Sequence, residues 1–496
     1  MLALKPDFQT FCKLAKKGNL IPVFAEYIAD TQTPVGAALA LNEEESIFLL
    51  ESVEGGEKWG DYSFLGIRPK AIFSCKDGEV QILQGKKISV SQKSKNPLHE
   101  LKKYLKSFKP VTVPGIPRFH GGAVGYLAYD CIRFFENLPL NNPDDLDLPD
   151  ALFMITDLLI VFHQFRQTIQ IIANVQVDKN ASKATLEKAY QKAKRDIQAI
   201  KRKLDAAPSL KNKTKSTAIK TIDKLLVPKS TFIQQVERAK KYIQEGDIIQ
   251  VVLSNRLQGK TKAKPLQIYR ALRLINPSPY MYYFRYGEFS IVGSSPETLV
   301  RLENKKITIR PIAGTRPRGK DEFEDENLAI DLLADPKEKA EHIMLVDLGR
   351  NDIGRIAEKG SVHVDQLMKV ERYSHVMHIV SNIQATLAKG KTAFDVLEAT
   401  FPAGTLTGAP KIRAMQIIEE LETVCRGPYG GALGYFDFSG NMDFCITIRT
   451  LMMQGNDFCL QAGAGIVADS IPDQEYQECM NKAKALRKAI DLAGKI

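Results

Sequence analysis

The chain has 496 residues, 44% of them hydrophobic and 26% charged, with a formal net charge of +11. At roughly 150 residues per domain this length holds about three domains, with apolar material enough for sizeable cores. No run approaches the roughly 18 apolar residues of a membrane span, since the longest candidate, 151–162, is broken by Asp157. The start, Met1-Leu-Ala-Leu-Lys5-Pro6-Asp7, lacks the pattern of a secretory signal. Seven cysteines without a Cys-x-x-Cys pair point to reduced thiols in a cytoplasmic protein. Of the net charge, +10 lies between residues 178 and 229, so bulk charge gives no support to a nucleic-acid-binding chain.

Strand-like runs come first along the chain, at 46–50, 71–73, 79–83 and 158–162, punctuated by Gly55-Gly56, Gly121-Gly122 and Pro139. Leu186, Tyr190, Ala193, Ile197, Ile200 and Leu204 are then spaced alternately by four and three. That spacing predicts an amphipathic helix with one narrow buried seam and a Lys-rich outer face. The outer face is a solvated surface or a docking site. Residues 206–220, with Pro208 among Lys, Asn, Ser and Thr, read as an exposed linker. The chain thus divides into 1–177, a basic helix and linker over 178–229, and 230–496, unless N-terminal strands complete a sheet of the later part. Thr231-x-x-Gln234 is a capping-box pattern ahead of Phe232, Val236, Ala239 and Ile243, with Gly246 as the stop and a strand at 247–253. Gly121-Gly-Ala-Val-Gly-Tyr126 recurs as Gly430-Gly-Ala-Leu-Gly-Tyr435, through kinship of two sheet elements or coincidence of Gly-rich turns.

Several residues in the second half are suited to chemistry. Glu297 follows a Gly293-Ser-Ser-Pro296 turn after the strand-like run 289–292. Asp335-Pro-Lys-Glu338-Lys-Ala-Glu341-His342 opens a helix and sets two carboxylates three residues apart. The C-terminal helix, 473–493, buries Tyr476, Cys479, Ala483, Leu486 and Ile490 and gathers Glu475, Glu478 and Lys482 on a neighbouring face. Such groups form either a surface ladder or part of a cation site. Two acidic helices suit Mg²⁺, which keeps several waters, whereas the His and Cys that zinc prefers do not cluster. The loop Phe401-Pro-Ala-Gly404-Thr-Leu-Thr407-Gly408-Ala-Pro410-Lys411 delivers free N–H groups to a helix start. Gln461-Ala-Gly463-Ala-Gly465 reads as a second Gly-rich turn, after the strand-like run 457–460. Neither has the spacing of a P-loop or a dinucleotide fingerprint. Arg449, at a strand end, suits bidentate capture of a carboxylate. His378 lies among apolar residues, where a core histidine is the commoner outcome.

Five longer runs carry a family resemblance. They are Pro311-Ile-Ala-Gly-Thr-Arg-Pro-Arg-Gly319, Ala340-Glu-His-Ile-Met-Leu-Val-Asp-Leu-Gly-Arg-Asn-Asp352, Glu371-Arg-Tyr-Ser-His-Val-Met-His378, Gly404-Thr-Leu-Thr-Gly-Ala-Pro-Lys-Ile-Arg413 and Gln461-Ala-Gly-Ala-Gly-Ile-Val-Ala-Asp-Ser470. Together they resemble the chorismate-utilising enzymes, and within them the large subunit of anthranilate synthase. The match is dense over 230–490 and sparser before it, through Leu49-Leu-Glu-Ser52 and the first Gly-Gly-Ala run. The resemblance implies an α+β fold of two large β-sheets packed orthogonally, with helices on the outside. It implies chorismate as substrate and Mg²⁺ held by Glu341 and Glu478, with Glu338 and Glu475 one turn earlier acting on metal-bound water. Lys482 then adds a cation near the ring carboxylate. Tyr429, Arg449 and the backbone of Gly463, Ala464 and Gly465 grip the enolpyruvyl carboxylate, and Gly314 and Thr315 line the ring. Glu297 becomes the general acid for the departing C4 hydroxyl, and His378 assists the later loss of pyruvate.

The family's siblings add different nucleophiles to the same substrate. Members that add water carry a lysine base where this chain has Gln250, and many aminodeoxychorismate synthases carry an attacking lysine where it has Ala313. An amide and a methyl group do neither. The resemblance therefore favours amination at C2 to anthranilate, with component I of aminodeoxychorismate synthase as the alternative. Leu50-Glu51-Ser52 with Pro279-Tyr280-Met281 resembles the family's L-tryptophan feedback site, Lys58 being the candidate for its basic residue. No Gly-x-Cys-x-Gly turn of a glutamine amidotransferase is present, so ammonia is expected from a separate small subunit in a heterodimer or heterotetramer. Neither nucleic acid nor a membrane is an expected partner.

Overall fold

Many strands of this chain are apolar at consecutive positions rather than alternate ones. Ala151–Thr156, Gly122–Leu127 and Ala432–Asp437 are buried throughout, and a strand buried on both faces needs a covering layer on each side. The computed structural model, which describes residues 3–53, 61–85, 87–139, 141–206, 222–373 and 376–496, supplies those layers with two antiparallel sheets and helices outside both. This is the expected α+β architecture.

The first sheet runs Leu4–Lys5, Leu20–Ile28, Thr168–Gln176, Leu158–His163, Tyr62–Ile67 and Ser46–Glu51. It continues through Tyr280–Tyr286, Phe289–Ser295, Thr450–Gln454, Asp457–Ile466, Gln250–Lys260 and Ile222–Leu225, with Gly408–Ala409 paired to Gln250–Lys260. The second runs Ile312–Pro317, Val376–Thr386, Lys306–Ile309, Thr298–Glu303, Met442–Ile446 and Ala432–Asp437. Gly122–Leu127, Ala151–Thr156, Ala71–Lys76, Glu79–Gln84 and Lys87–Lys93 complete it, and His363–Arg372 pairs with Val376–Thr386. Between the sheets, Phe48, Phe64, Tyr282 and Phe284 of the first meet Val124, Tyr126, Met154 and Leu433 of the second. The other faces are covered by helices such as Lys183–Asp205, Pro265–Ile275 and Pro472–Ala493 on the first sheet and Pro97–Leu105 and Ala393–Thr400 on the second.

Both sheets take strands from before and after the basic helix, so the division into 1–177, 178–229 and 230–496 is one of sequence and not of sheets. The two Gly-Gly-Ala copies are neighbours within the second sheet. Tyr126 pairs with Leu433 and Gly125 with Gly434, antiparallel, so the echo marks two sheet elements that lie side by side. The basic helix buries the same six residues that define its predicted seam. The proposed linker and the Gly55-Gly56 turn fall largely or wholly outside the described residues, as does Lys58.

Some boundaries differ from expectation. The helix foreseen from the Thr231 capping box starts earlier, at Lys229 after Pro228, and the strand foreseen at 247–253 runs instead from Gln250 to Lys260. The Gly293-Ser-Ser segment continues the strand Phe289–Ser295. Gln461 to Gly465 is no turn but the middle of the strand Asp457–Ile466, held in register against Gln250–Lys260 with Ser254 opposite Gly463 and Val252 opposite Gly465. Neighbouring backbone overrides the weak strand propensity of Gly there. Arg449 lies in the connection between Met442–Ile446 and Thr450–Gln454 at a φ of 50°, a left-handed conformation uncommon for a side-chain-bearing residue. All seven cysteines are without disulfides, and among the described residues no helix is long and apolar enough to cross a membrane.

Candidate active site

The helix Pro336–Gly354 begins where Asp335 accepts the N–H groups of Lys337 and Glu338 with Pro336 in the first turn. This cap points Glu338 and Glu341 into a cavity of about 580 Å³. The helix Pro472–Ala493 brings Glu475, Glu478 and Lys482 to the same space. Gly314, Thr315 and His378, on paired strands, line it as well, as do Glu297, Tyr429, Arg449, Gly463 and Gly465. Every side chain assigned by the resemblance to metal, substrate or proton transfer is thus in one cavity. Ala464, whose backbone was expected to grip substrate, is the exception: the whole residue is buried, its methyl in the core beneath, and it is not part of the cavity wall.

The two glycines opposite Gln250–Lys260 have a steric reason. A Cβ at Gly463 would stand 2.8 Å from the Tyr429 hydroxyl, and one at Gly465 would stand 2.6 Å from Gln250 Nε2. Backbone is therefore bared to the cavity beside Tyr429, where a carboxylate can approach. Lys482 Nζ donates to Gly463 O at 2.9 Å and pairs with Glu478 Oε1 at 2.5 Å, so the favourable i, i+4 pair is also a tie between helix and strand.

The electrostatics separate the groups by role. Burial pushes the Glu297 carboxyl up to about 7, against the Thr405 hydrogen bond and the charges of Arg449 and Lys482, which lower it. A carboxyl there is about half protonated at neutrality, far more than an ordinary glutamate, and can serve as an acid. Burial, above all, lowers His378, and its Nδ1 lies 2.9 Å from Gly314 O and 3.1 Å from Thr315 Oγ1. A carbonyl only accepts, so Nδ1 carries the hydrogen and Nε2 is left as a proton acceptor. Glu338 and Glu475 are also pushed up, first by burial and further by Glu341 and Glu478 one turn on. Among the described residues no three His, Cys, Asp or Glu side chains form a complete metal cage. An incomplete pair of hard oxygen donors with room for water is what Mg²⁺ takes, and two mutually repelling acidic pairs facing one cavity gain from a cation.

Sequence reasoning missed some of the machinery. Thr405, which donates to Glu297 Oε1 at 2.8 Å, stood in the Gly404-Thr-Leu-Thr run without a role. Arg426, 1% exposed, was not singled out at all. It pairs with Glu422 through Nε and Nη2, donates to Leu406 O and Val252 O at 2.7 Å each, and lies over the Tyr429 ring. Glu422 in turn accepts from Ser254 N and Oγ, and Ser254 Oγ accepts from Gln461. One buried ion pair therefore braces Val252, Leu406, Tyr429 and Gln461, all of the cavity wall. The i, i+4 spacing of Glu422 and Arg426 was the only signal, and surface helices carry many such pairs.

A second cavity, smaller and aromatic, shares Pro296 and Ile312 with the first. Leu50, Glu51 and Ser52 line it beside Pro279, Tyr280 and Met281, on adjacent antiparallel strands. Strand alternation turns Glu51 and Met281 to the opposite face, where Glu51 accepts hydrogen bonds from Tyr269 and Arg273. The Tyr280 hydroxyl donates to Asp443 at 2.8 Å, and Arg301 pairs with the same carboxylate at 2.5 Å. Arg118, Arg301 and Arg310 supply the basic charge at this cavity.

Fold and cavity together define a protein that gathers a buried carboxyl, an imidazole, basic groups and two acidic pairs around one small-molecule space. A family model described as chorismate binding enzyme matches residues 46–488, and the chain belongs to that family. It is 50% identical over 491 residues to anthranilate synthase component 1 of Acetivibrio thermocellus, covering 97% of this chain and 98% of that one. The crystal structure of anthranilate synthase component I from Streptococcus pneumoniae TIGR4 superposes with a TM-score of 0.76 at 37% identity, covering 88% of this chain and 94% of that one. The menaquinone-specific isochorismate synthase of Escherichia coli, 20% identical, shares the fold with a TM-score of 0.71 over 97% of this chain and 98% of its own.

Proposed function

We propose that the chain aminates chorismate at C2 and eliminates pyruvate to give anthranilate, with ammonia delivered by a separate glutamine amidotransferase subunit and L-tryptophan as feedback inhibitor. The observation that carries the reaction is the pairing of a complete acid–base set, Glu297 and His378, with Gln250 and Ala313 in the same cavity. Neither Gln250 nor Ala313 can act as a base or attack the ring, so ammonia, already a nucleophile, is the reactant that fits.

Glu297 gives its proton to the C4 hydroxyl, which leaves as water while ammonia adds at C2. His378 Nε2 then takes the C2 proton as the C3–O bond breaks, and the departing enolate takes up the proton shed by the new ammonium group to become pyruvate, leaving an aromatic ring. Tyr429, Arg449 and the bared backbone at Gly463 and Gly465 hold the enolpyruvyl carboxylate, and Lys482 adds positive charge beside the ring carboxylate. Glu341 and Glu478 would hold Mg²⁺, with Glu338 and Glu475 on its waters. A cation held there would supply electron withdrawal through the ring carboxylate. Relatives named component 1 support a partner component for this chain as well. Tryptophan is supported by the second cavity, where Tyr62, Phe64, Tyr280 and Tyr435 suit an indole and the Arg118, Arg301 and Asp443 cluster suits an α-amino acid.

The test is product identification with the pure chain, chorismate, Mg²⁺ and ammonium salts. Anthranilate and pyruvate in equal amounts, lost when Mg²⁺ is chelated, is the expected result. A non-aromatic 4-amino product would make the chain an aminodeoxychorismate synthase component instead.

A further inference from the structure

A carboxylic acid has two oxygens, and only one of them can carry the proton that is delivered. Among the described residues the Glu297 side chain makes a single hydrogen bond, from Thr405 Oγ1 to Oε1. Thr405 belongs to the short 3-10 turn Gly404–Leu406. That turn is braced on its far side, with Arg426 Nη1 on Leu406 O at 2.7 Å and Thr407 Oγ1 on Ala403 O at 3.0 Å. Glu297 is braced too, its backbone carbonyl accepting from Ile446 N at 3.1 Å. Both partners are thus held from behind, and the bond between them is set by the fold.

Counting hydrogens decides the rest. The Thr405 hydroxyl has one hydrogen, and Glu297 Oε1 is its acceptor among the described residues. With the acid's proton on Oε1, that oxygen would donate to Thr405 Oγ1 and leave the hydroxyl hydrogen without an acceptor. With the proton on Oε2 the existing bond is kept, and no donor is orphaned. We propose, resting on the assignment of Glu297 as the general acid, that Thr405 is its positioning residue: the hydroxyl occupies Oε1 so that the transferable proton sits on Oε2.

The other charged groups around Glu297 do not make this choice. Arg449, from the connection before Thr450–Gln454, and Lys482, from the C-terminal helix, act on it through space, and neither donates a hydrogen bond to its carboxyl. His378 and Tyr429 share the cavity, as do Lys337, Glu338 and Glu341 of one helix and Glu475 and Glu478 of the other. Arg310 and Asp352 lie beyond Thr405, along a smaller cavity that shares Glu297.

Thr405→Val and Thr405→Ser test the assignment by two readouts. One is the titration of the Glu297 carboxyl in the free protein, followed by ¹³C NMR with Glu297→Gln to identify the signal. The other is kcat against pH at constant free ammonia. Thr405→Val removes a bond that favours the ionised carboxyl, so the midpoint moves to higher pH and the alkaline limb of kcat moves with it. Turnover falls about 10- to 100-fold, part of what a positioned acid contributes. Thr405→Ser, which keeps the hydroxyl, returns both toward the parent values. A midpoint unmoved in Thr405→Val, or a serine variant as impaired as the valine one, overturns the proposal and leaves Thr405 as packing. A parent chain that forms no anthranilate fails separately, because it removes the acid assignment on which the proposal stands.

Discussion

The catalytic cavity and the aromatic cavity beside it share Pro296 and Ile312 but are made from different parts of the chain. Every residue lining the first lies between 250 and 482. The second draws on Leu50, Ser52, Tyr62, Phe64 and Arg118 from the early part and on Pro279 to Tyr282 and Leu433 to Tyr435 from the later part. Reaction chemistry can therefore reside in one stretch of sequence, while the proposed inhibitor site exists only where the two parts meet. A ligand there binds the packing of the early strands against the later ones. Its neighbour across Pro296 is Glu297, so the shared wall connects that packing to the proposed acid.

Changes confined to one cavity sharpen this contrast. The largest effect is expected from Glu297→Gln, with kcat lowered about 10²- to 10⁴-fold, since an amide has no proton to give. Tryptophan binding, followed by calorimetry, should be unchanged; its loss would show that the two cavities are not separable. In the parent chain the acid must be protonated, so kcat/KM at constant free ammonia is full well below a midpoint of about 7 and falls toward tenfold per pH unit above it. A flat profile from pH 6 to 9 would remove Glu297 from that role.

Next in size is Arg426→Met, which leaves the buried Glu422 without its cation. Breaking such a pair costs about 3–5 kcal/mol, read as a lower Tm and, in the surviving folded protein, a raised KM for chorismate. Combining it with Glu422→Gln should recover part of the Tm. No recovery would mean that the guanidinium acts through its bonds to Val252 and Leu406 alone. The smallest effect is expected from Tyr280→Phe, which removes the hydroxyl bonded to Asp443. One lost hydrogen bond is worth about 1 kcal/mol, so tryptophan inhibition should weaken about fivefold with kcat within twofold. A fall in kcat with inhibition intact would reverse the assignment of the two cavities.

Much of this arrangement could be read in advance where one element decides its own environment. The six seam residues of Lys183–Asp205 follow from helical period alone, as do the acidic faces of the two helices at the active site. The Gln461 to Gly465 run could not be read this way. Its glycines look like a turn locally and are strand because Gln250–Lys260 lies against them and Tyr429 crowds Gly463. Glu422 and Arg426 look like any surface pair until Ser254, Val252 and Leu406 close around them. The same limit applies to Arg118 and Asp443, whose partners lie hundreds of residues away. Residue type showed which chemistry was available, and only long-range packing decided which groups lost their water.

The side-by-side Gly-Gly-Ala strands have a consequence for synthesis of the chain. Ser46–Glu51 and Gly122–Leu127 each have one neighbour in the early part, and their second neighbours, Tyr280–Tyr286 and Ala432–Asp437, emerge from the ribosome much later. At 5–20 residues per second the wait is on the order of 10–60 s. Through that interval the nascent chain carries two open sheet edges made largely of apolar residues, the kind of surface that pairs with strangers. Completion of each sheet is therefore a late event in the birth of the protein, and conditions that slow translation or crowd nascent chains would be felt first as aggregation rather than as lost catalysis.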